Sequence, residues 1–425
     1  MRFLVSLLTA ALLTGCSMSR SVQRELRRSD VLRQHHLGLV IYDPAQQKTR
    51  VSYQGDRYFT PASNTKLFSF YAGLCALRDS VPGLQYWLRG DSLIFRGTGD
   101  PSLLHPDLPP SRVLEFLKAR PEKLFYTAAN TENKRFGPGW SWDDYTEYYQ
   151  PERSPLPIYG NIVRFTSDAT RRLYASPRLW GDSLRTDTAV SGIEREAERN
   201  LFRHSLYALP AGLEQDVPIR TSPVLTAWLL GEALGKPVEV VDFETKAPWR
   251  TVYSIPTDSL YARMMQVSDN MLAEQLMLLY ASANQLPLHT PRAIEHAIEQ
   301  HLADLPDRPL WRDGSGLSRY NLFTPRSIVA LLDKIYAKVP QERLFAILAQ
   351  GGKTGTLKNL FKGEESTFVY AKSGSLSNNY SLSGYLLTRQ GRLLYFSFMH
   401  NNFVRPATDI RKEVERILTR LHERY

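Results

Sequence analysis

Ser63 and Lys66 lie three residues apart in Ser63-Asn64-Thr65-Lys66, and the chain has no other Ser-x-x-Lys. A serine hydroxyl is a weak nucleophile at neutral pH and needs an adjacent base. Positions i and i+3 of a helix share a face, so the hydroxyl and the amine can meet. A lysine accepts a proton only when burial or a second positive charge lowers its pKa. Lys372, in Lys372-Ser373-Gly374, can supply that charge. At a helix N-terminus the backbone N–H of Ser63 can face a developing oxyanion. The chemistry these residue types suggest is acyl transfer.

Two further segments complete the pattern. In Ser268-Asp269-Asn270 the serine can relay a proton to a leaving amine, and Asn270 can bind a substrate amide. Ser377-Asn378-Asn379 fits the same Ser-x-Asn pattern, but it follows Lys372 by five residues and cannot form a separate wall. Lys353-Thr354-Gly355 is a closer literal match to Lys-Thr-Gly but follows the loop Gln350-Gly351-Gly352. Lys372 instead follows the strand-like run Thr367–Ala371. In that setting Ser373 keeps the hydroxyl of the more usual threonine. Gly374 lets a substrate strand come close, and the N–H of Ser375 can join that of Ser63 as an oxyanion hole. The order Ser-x-x-Lys, Ser-x-Asn, Lys-(Ser/Thr)-Gly is that of penicillin-binding proteins and class A β-lactamases.

The elements that must hold these residues follow from periodicity and turn residues. Residues 36–42 and 49–53 read as strands around a turn, and the apolar helix of Ser63 follows. Residues 85–97 have strand character, and Leu225–Leu234 reads as a helix closed by Gly235. Residues 259–281 form a helical region hinged near Ser268. Residues 291–302 and 325–335 are further helices. Three strands near the C-terminus, over 367–371, 381–388 and 393–399, precede a final helix with Ile410, Val414, Ile417, Leu418 and Leu421 on one face. Strands at both ends suggest one sheet built from both termini, with residues 81–249 inserted.

The 425 residues can fill two or more domains. The net charge of +10 suits an anionic partner. No run of five Lys/Arg and no zinc-knuckle pattern occurs, which argues against nucleic acid. His289, His296, Glu299 and His301 cluster without ligand spacing on one helical face, so no metal is expected. Gly97-Thr98-Gly99 lacks the third glycine of a nucleotide loop, and no cofactor is expected. No Gly-x-Ser-x-Gly elbow exists.

The N-terminus begins Met1-Arg2 and continues with thirteen uncharged, mostly apolar residues to Gly15. That run is shorter than the roughly 20 residues a bilayer span needs but has the length of a signal-peptide core. Leu13-Thr14-Gly15-Cys16 looks like a bacterial lipobox. It implies a signal peptide over 1–15, lipidation of Cys16 and a location in the bacterial cell envelope, anchored to membrane and facing the periplasm. Residues 16–36 then read as a solvated tether. With Cys16 lipidated, Cys75 has no disulfide partner and reads as a core residue of the Ser63 helix.

The chain resembles the D-alanyl-D-alanine carboxypeptidase/endopeptidase family of class C, low-molecular-mass penicillin-binding proteins (serine peptidase family S13). Beyond the three motifs, the resemblance rests on Gly99-Asp100-Pro101-Ser102-Leu103, on Gly137-Pro138-Gly139-Trp140-Ser141-Trp142-Asp143-Asp144, and on Asp313-Gly314-Ser315-Gly316-Leu317-Ser318-Arg319. It covers residues 37 to about 400. It implies an α/β (α+β) fold of the penicillin-binding-protein and serine β-lactamase type. The catalytic domain would be discontinuous, over 37–80 and 250–425, with 81–249 as a large insertion. It implies Ser63 as nucleophile, Lys66 as base, and Ser268, Asn270 and Lys372 as opposing walls. Asp144 would pair with the free amine of a diamino acid in the stem peptide. Peptidoglycan stem peptides are the implied partners and β-lactams the implied covalent inhibitors. Two other readings are a β-lactamase and a non-catalytic wall-binding lipoprotein. The 205 residues between Ser63 and Ser268 exceed a class A β-lactamase spacing, and no deacylating glutamate is identifiable. A binding protein would not need a lysine-activated nucleophile.

Overall fold

A computed structural model describes residues 18–425 except 206, 208, 364 and 365. The chain divides into two compact units. One takes the residues up to Tyr71 with Tyr261–Ser268 and Ala297–Tyr425, the other Ala72–Leu260 with Asp269–His296.

The first unit is built on a six-stranded antiparallel sheet. Its strand order is Ala349–Gln350, Val369–Leu376, Asn379–Leu387, Leu393–Asn401, His36–Asp43, Lys48–Tyr53. Both ends of the chain supply it, and the join is the pairing of His36–Asp43 with Leu393–Asn401, where Leu39 faces Phe398. The two central strands are buried almost throughout because both sheet faces are covered. Leu39, Ile41, Leu382, Phe396 and Phe398 form a core with Ile410, Val414, Ile417, Leu418 and Leu421 of the helix Ala407–Arg424. Tyr385 reaches the opposite side and donates its hydroxyl to the Leu332 carbonyl in the helix Pro325–Lys338, at 2.8 Å.

Residues 18–28 are helical, and Met18, Val22 and Leu26 are buried in the same core. This corrects the reading of this stretch as a solvated tether. The four-residue spacing of those side chains makes one apolar stripe. Glu25 adds ion pairs to Arg416 at 2.9 Å and Arg420 at 3.1 Å. Cys16 lies outside the described residues.

The second unit contains a five-stranded mixed sheet in the order Val238–Val240, Lys123–Thr127, Ser92–Gly97, Ser80–Arg89, Arg250–Pro256. The stretch 85–97 is a hairpin rather than one strand, turning at Gly90 with φ +58°. Residues 165–220 contribute to two three-stranded sheets. The expected insertion, 81–249, lies wholly in this unit, which also takes the helix Asn270–Ala283. A buried ion pair between Arg153 and Glu274 at 3.2 Å, and Gln275 donating to the carbonyls of Gly99 and Ser154 at 2.8 Å, tie that helix in. Cys75 is half-buried, near the C-terminal end of the helix Lys66–Ala76, rather than a core residue.

Candidate active site

Ser63 sits on a 3-10 turn, Ala62–Thr65, that leads directly into the helix Lys66–Ala76. The hydroxyl therefore precedes the first α-helical turn instead of lying along it. Ala62 adopts φ +49°, a conformation that costs a non-glycine residue on the order of 1–3 kcal/mol. The surroundings hold it there. Gly316, at φ +85°, lies so close that a Cβ on it would stand 1.9 Å from the Ala62 carbonyl oxygen. The loop carrying Gly316 is fixed by Asp313, whose carboxylate accepts from the N–H of Gly316 (2.9 Å), the N–H of Ser318 (2.6 Å) and Asn321 Nδ2 (2.7 Å). Ser69, one turn along the helix, donates to the Gly314 carbonyl at 2.6 Å. The Asp313–Arg319 segment is thus the scaffold of the serine turn, a role that motif spacing alone does not disclose.

Lys66 is fully buried. Its Nζ lies 2.9 Å from Ser63 Oγ and donates to the Ser315 carbonyl at 2.8 Å. Lys372 is also fully buried and donates to Ser268 Oγ at 2.8 Å and to the Ser373 carbonyl at 2.6 Å. Burial, and then the charge of Lys66, push the Lys372 ammonium well below the ordinary lysine pKa. Two like charges in a buried site disfavour each other, and here it is the charged form of Lys372 that is disfavoured. Ser268 has φ +66° between the helices Thr257–Gln266 and Asn270–Ala283, and this left-handed turn breaks the helical region at the expected hinge.

The strand Val369–Leu376 brings the rest of the first unit's site together. Val369 and Ala371 pack into the core beneath the helix Ala407–Arg424, so Lys372 and Gly374 project from the other face. A Cβ on Gly374 would stand 2.8 Å from Ser63 N. The N–H of Gly351 donates to the Val369 carbonyl, so the odd-numbered residues of the strand direct their backbone groups to its outer edge. The two-residue strand Ala349–Gln350 pairs only with Tyr370 and Ala371. The backbone of Ser373 and Ser375 therefore faces outward beyond it. Asn64 holds the turn against this strand, donating from Nδ2 to the carbonyls of Lys372 (3.0 Å) and Ser381 (3.3 Å).

Ser63, Lys66, Ser268, Lys372, Ser373, Gly374 and Ser375 all belong to the first unit. Lys353 of the rival Lys-Thr-Gly lies on an exposed turn. Its neighbour Thr356 nevertheless reaches Ser373, with 2.6 Å between hydroxyls. The rival Ser377-Asn378-Asn379 forms the turn between two sheet strands. Asn270 and Asp144 belong to the second unit. Asn270 Nδ2 donates to the Tyr149 carbonyl at 2.9 Å. Asp144 is half-buried on the 3-10 turn Trp142–Thr146, beside the Tyr149 phenol, which burial and the Asp144 carboxylate hold protonated. Sequence reasoning missed the Ser315 carbonyl, Asn64, Thr356 and Arg411, whose Nη2 donates to Ser375 Oγ at 3.2 Å. Among the described residues no group of three His, Cys, Asp or Glu could hold a metal. No described helix is long and apolar enough to cross a membrane.

Comparison with known proteins places this geometry. The family model described as the D-Ala-D-Ala carboxypeptidase 3 (S13) family matches residues 18–176 and 240–421. The unmatched stretch falls within the second unit. Penicillin-sensitive carboxypeptidase A of Dictyostelium discoideum is 22% identical over 432 residues, covering 85% of this chain and 81% of that protein. D-alanyl-D-alanine carboxypeptidase DacB of Haemophilus influenzae is 23% identical over 416 residues, covering 87% and 86%. The solved structure of penicillin binding protein 4 (dacB) from Haemophilus influenzae superimposes with a TM-score of 0.76 at 18% identity, covering 95% of this chain and 99% of that one. That likeness shows a shared fold, a mixed α/β penicillin-binding-protein architecture with a discontinuous first unit. The family match covers most of the chain, which belongs to the D-Ala-D-Ala carboxypeptidase 3 (S13) family.

Proposed function

We propose that this serine-type D-Ala-D-Ala carboxypeptidase works through an acyl-enzyme on Ser63 and acts on peptidoglycan stem peptides. The observation that carries the reading is Lys66 Nζ, fully buried and 2.9 Å from Ser63 Oγ. In its neutral form that amine takes the hydroxyl proton as Oγ attacks the carbonyl carbon between the two D-alanines. The oxyanion gains the N–H groups of Ser63 and Ser375, brought together by the contact at Gly374. Collapse of the tetrahedral intermediate breaks the C–N bond. The leaving amine of the terminal D-alanine receives the proton through Ser268, which Lys372 orients at 2.8 Å. Water then attacks the Ser63 ester, releases the shortened peptide and restores the hydroxyl. The same steps cleave a cross-link when the leaving amine belongs to another stem. Asn270 and Asp144 are assigned here to binding the substrate amide and the stem's free amine.

β-lactam inhibition follows from the same chemistry, since ring opening leaves an ester on Ser63. The name of the Dictyostelium relative, penicillin-sensitive, supports it. Fluorescent penicillin labelling is the test: one covalent adduct per chain on the wild type and none on Ser63→Ala. Adduct persisting on Ser63→Ala would overturn the assignment.

We also read the chain as a lipoprotein of the bacterial envelope, facing the periplasm, because the apolar run ends at Leu13-Thr14-Gly15-Cys16. Metabolic labelling with an alkyne fatty acid should mark the wild type and leave Cys16→Ala unmarked.

A further inference from the structure

The five-stranded sheet of the second unit carries a polar row on the face turned away from its core. Leu84 and Phe95 point into that core, so Gln85 and Arg96, one residue along each strand, point the other way. Thr251 pairs with Gln85 and Gln85 with Arg96, which sets three polar side chains side by side across three strands. The row lies in a cleft of about 950 Å³ walled by residues 244–249 and 282–288, all of it within the second unit. A polar floor, two walls and this volume are the features of a ligand site.

Arg96 is held ready in that cleft. Its guanidinium carbon lies 4.3 Å from the centre of the Trp249 ring, and its Nε donates to Gln85 Oε1 at 2.8 Å. These two contacts fix the plane and the direction of the group. Nη1 and Nη2 make no hydrogen bond among the described residues, and neither is buried. Arg78 and Lys246, exposed in the same cleft, form no ion pair among the described residues. Two carboxylates also line it. Glu132 is taken by Arg292 at 3.1 Å, and Glu244 is exposed and acts on Arg96 through charge without forming an ion pair. The balance is positive around a planar fork that can hold a carboxylate by two parallel N–H···O bonds. Glu244 opposes a more highly charged phosphate there. Tyr253, 51% exposed in the cleft, offers a ring to the apolar parts of a peptide.

We infer that this cleft binds carboxylate-bearing peptide of the wall polymer, with the carboxylate on Arg96, and so holds the enzyme on the polymer without taking part in the cut. This rests on the reading that peptidoglycan stem peptides are the substrate. Arg96 is a binding residue and touches no reacting atom.

The test is co-sedimentation of the full chain with purified peptidoglycan, after acylation with penicillin so that the catalytic site is filled. The wild type should bind intact peptidoglycan. It should bind at least about 10-fold more weakly once the carboxylates are amidated with carbodiimide and ammonia, or once an amidase has stripped the peptides from the glycan. Arg96→Ala should bind intact peptidoglycan roughly 10- to 100-fold more weakly, the scale of a lost charge-assisted hydrogen bond. Lys246→Glu, on an exposed side chain that carries no packing, should weaken binding roughly 2- to 5-fold. Lys48→Ala removes an exposed charge from the first unit and should change nothing beyond about twofold. All three variants should release D-alanine from a soluble peptide within about twofold of the wild type, which reports that they are folded. Wild-type binding by Arg96→Ala, or an equal loss in Lys48→Ala, overturns the inference, the second because the chain's general positive charge would then be responsible. Undiminished binding to peptide-free glycan overturns it in favour of a sugar ligand. Each of these outcomes leaves the substrate reading intact as long as the wild type releases D-alanine. Failure of the wild type to do so overturns the substrate reading, and this inference with it.

Discussion

A Cβ on Gly374 would stand 2.8 Å from the backbone nitrogen of Ser63. It would also lie 2.7 Å from the Pro61 carbonyl oxygen. The strand and the serine turn are therefore in backbone contact, and the glycine is required by approach rather than by φ. In the proposed mechanism this contact is what lets the N–H groups of Ser63 and Ser375 address one oxygen.

Gly374→Ala should separate those elements. Overpacking of this kind costs about 1–3 kcal/mol of stability. The loss in acylation should be larger, roughly 100-fold, the scale of removing one oxyanion donor. The rate of fluorescent-penicillin labelling, measured beside thermal unfolding, checks this. Labelling at the wild-type rate would show that the contact does not set the oxyanion geometry.

Lys372 gives a pH signature. Its folded pKa is depressed by burial and by Lys66, so between the folded and unfolded pKa values the unfolded chain binds more protons. That group's contribution to stability therefore rises with pH and is most unfavourable below its folded pKa. Lys372→Met removes the charge and keeps much of the volume. The variant should be inactive, yet more stable than the wild type at pH 7, with the gap narrowing as pH approaches 10. Thermal midpoints of both proteins at pH 7, 8.5 and 10 decide it. A gap that stays constant or widens would mean that Lys372 is not held away from its charged form.

Much of the frame was legible because it obeys simple periods. The final helix shows its five buried apolar residues at 3.6-residue spacing, and the hinge at Ser268 interrupts an otherwise continuous apolar run. The proximity of Ser63 and Lys66 was legible too, since three residues separate them. The parts that escaped depend on long-range contact. Nothing local in Asp313-Gly314-Ser315-Gly316 says that its glycine supports Ala62 or that its Ser315 carbonyl receives Lys66. Arg411 looks like any charge on an amphipathic helix until the helix is laid on the sheet. Composition alone makes the first helix look like tether, because its arginines outweigh Met18, Val22 and Leu26 there, although not in spacing.

That first helix can be tested directly. Leu26 is buried against the sheet's core cluster, and Leu→Ala at such a site costs about 2–5 kcal/mol, with the lower end expected at the margin of a domain. Leu26→Ala should lower the thermal midpoint by several degrees and hasten proteolytic cleavage after Arg27 or Arg28. An unchanged midpoint and cleavage rate would restore the tether reading.

Asp100 offers a second titration, in the second unit and of opposite sign. Burial raises its carboxyl to about 6, although the N–H and hydroxyl of Ser102 both donate to it, at 3.0 and 2.7 Å. An unfolded aspartate titrates near about 3.9. Between those values the folded state binds more protons, so this group's contribution falls as pH rises from about 4 to 6 and stays unfavourable above that. The difference corresponds to about 3 kcal/mol at neutral pH, an order-of-magnitude figure. Asp100→Asn keeps an acceptor for the Ser102 N–H and can donate to the Ser102 hydroxyl. It should therefore unfold at a higher temperature than the wild type at pH 7.5 and lose most of that advantage by pH 4.5. Thermal unfolding of both proteins at the two pH values measures the crossover. If the advantage is the same at both, the buried carboxyl is ionised throughout and the raised value is wrong.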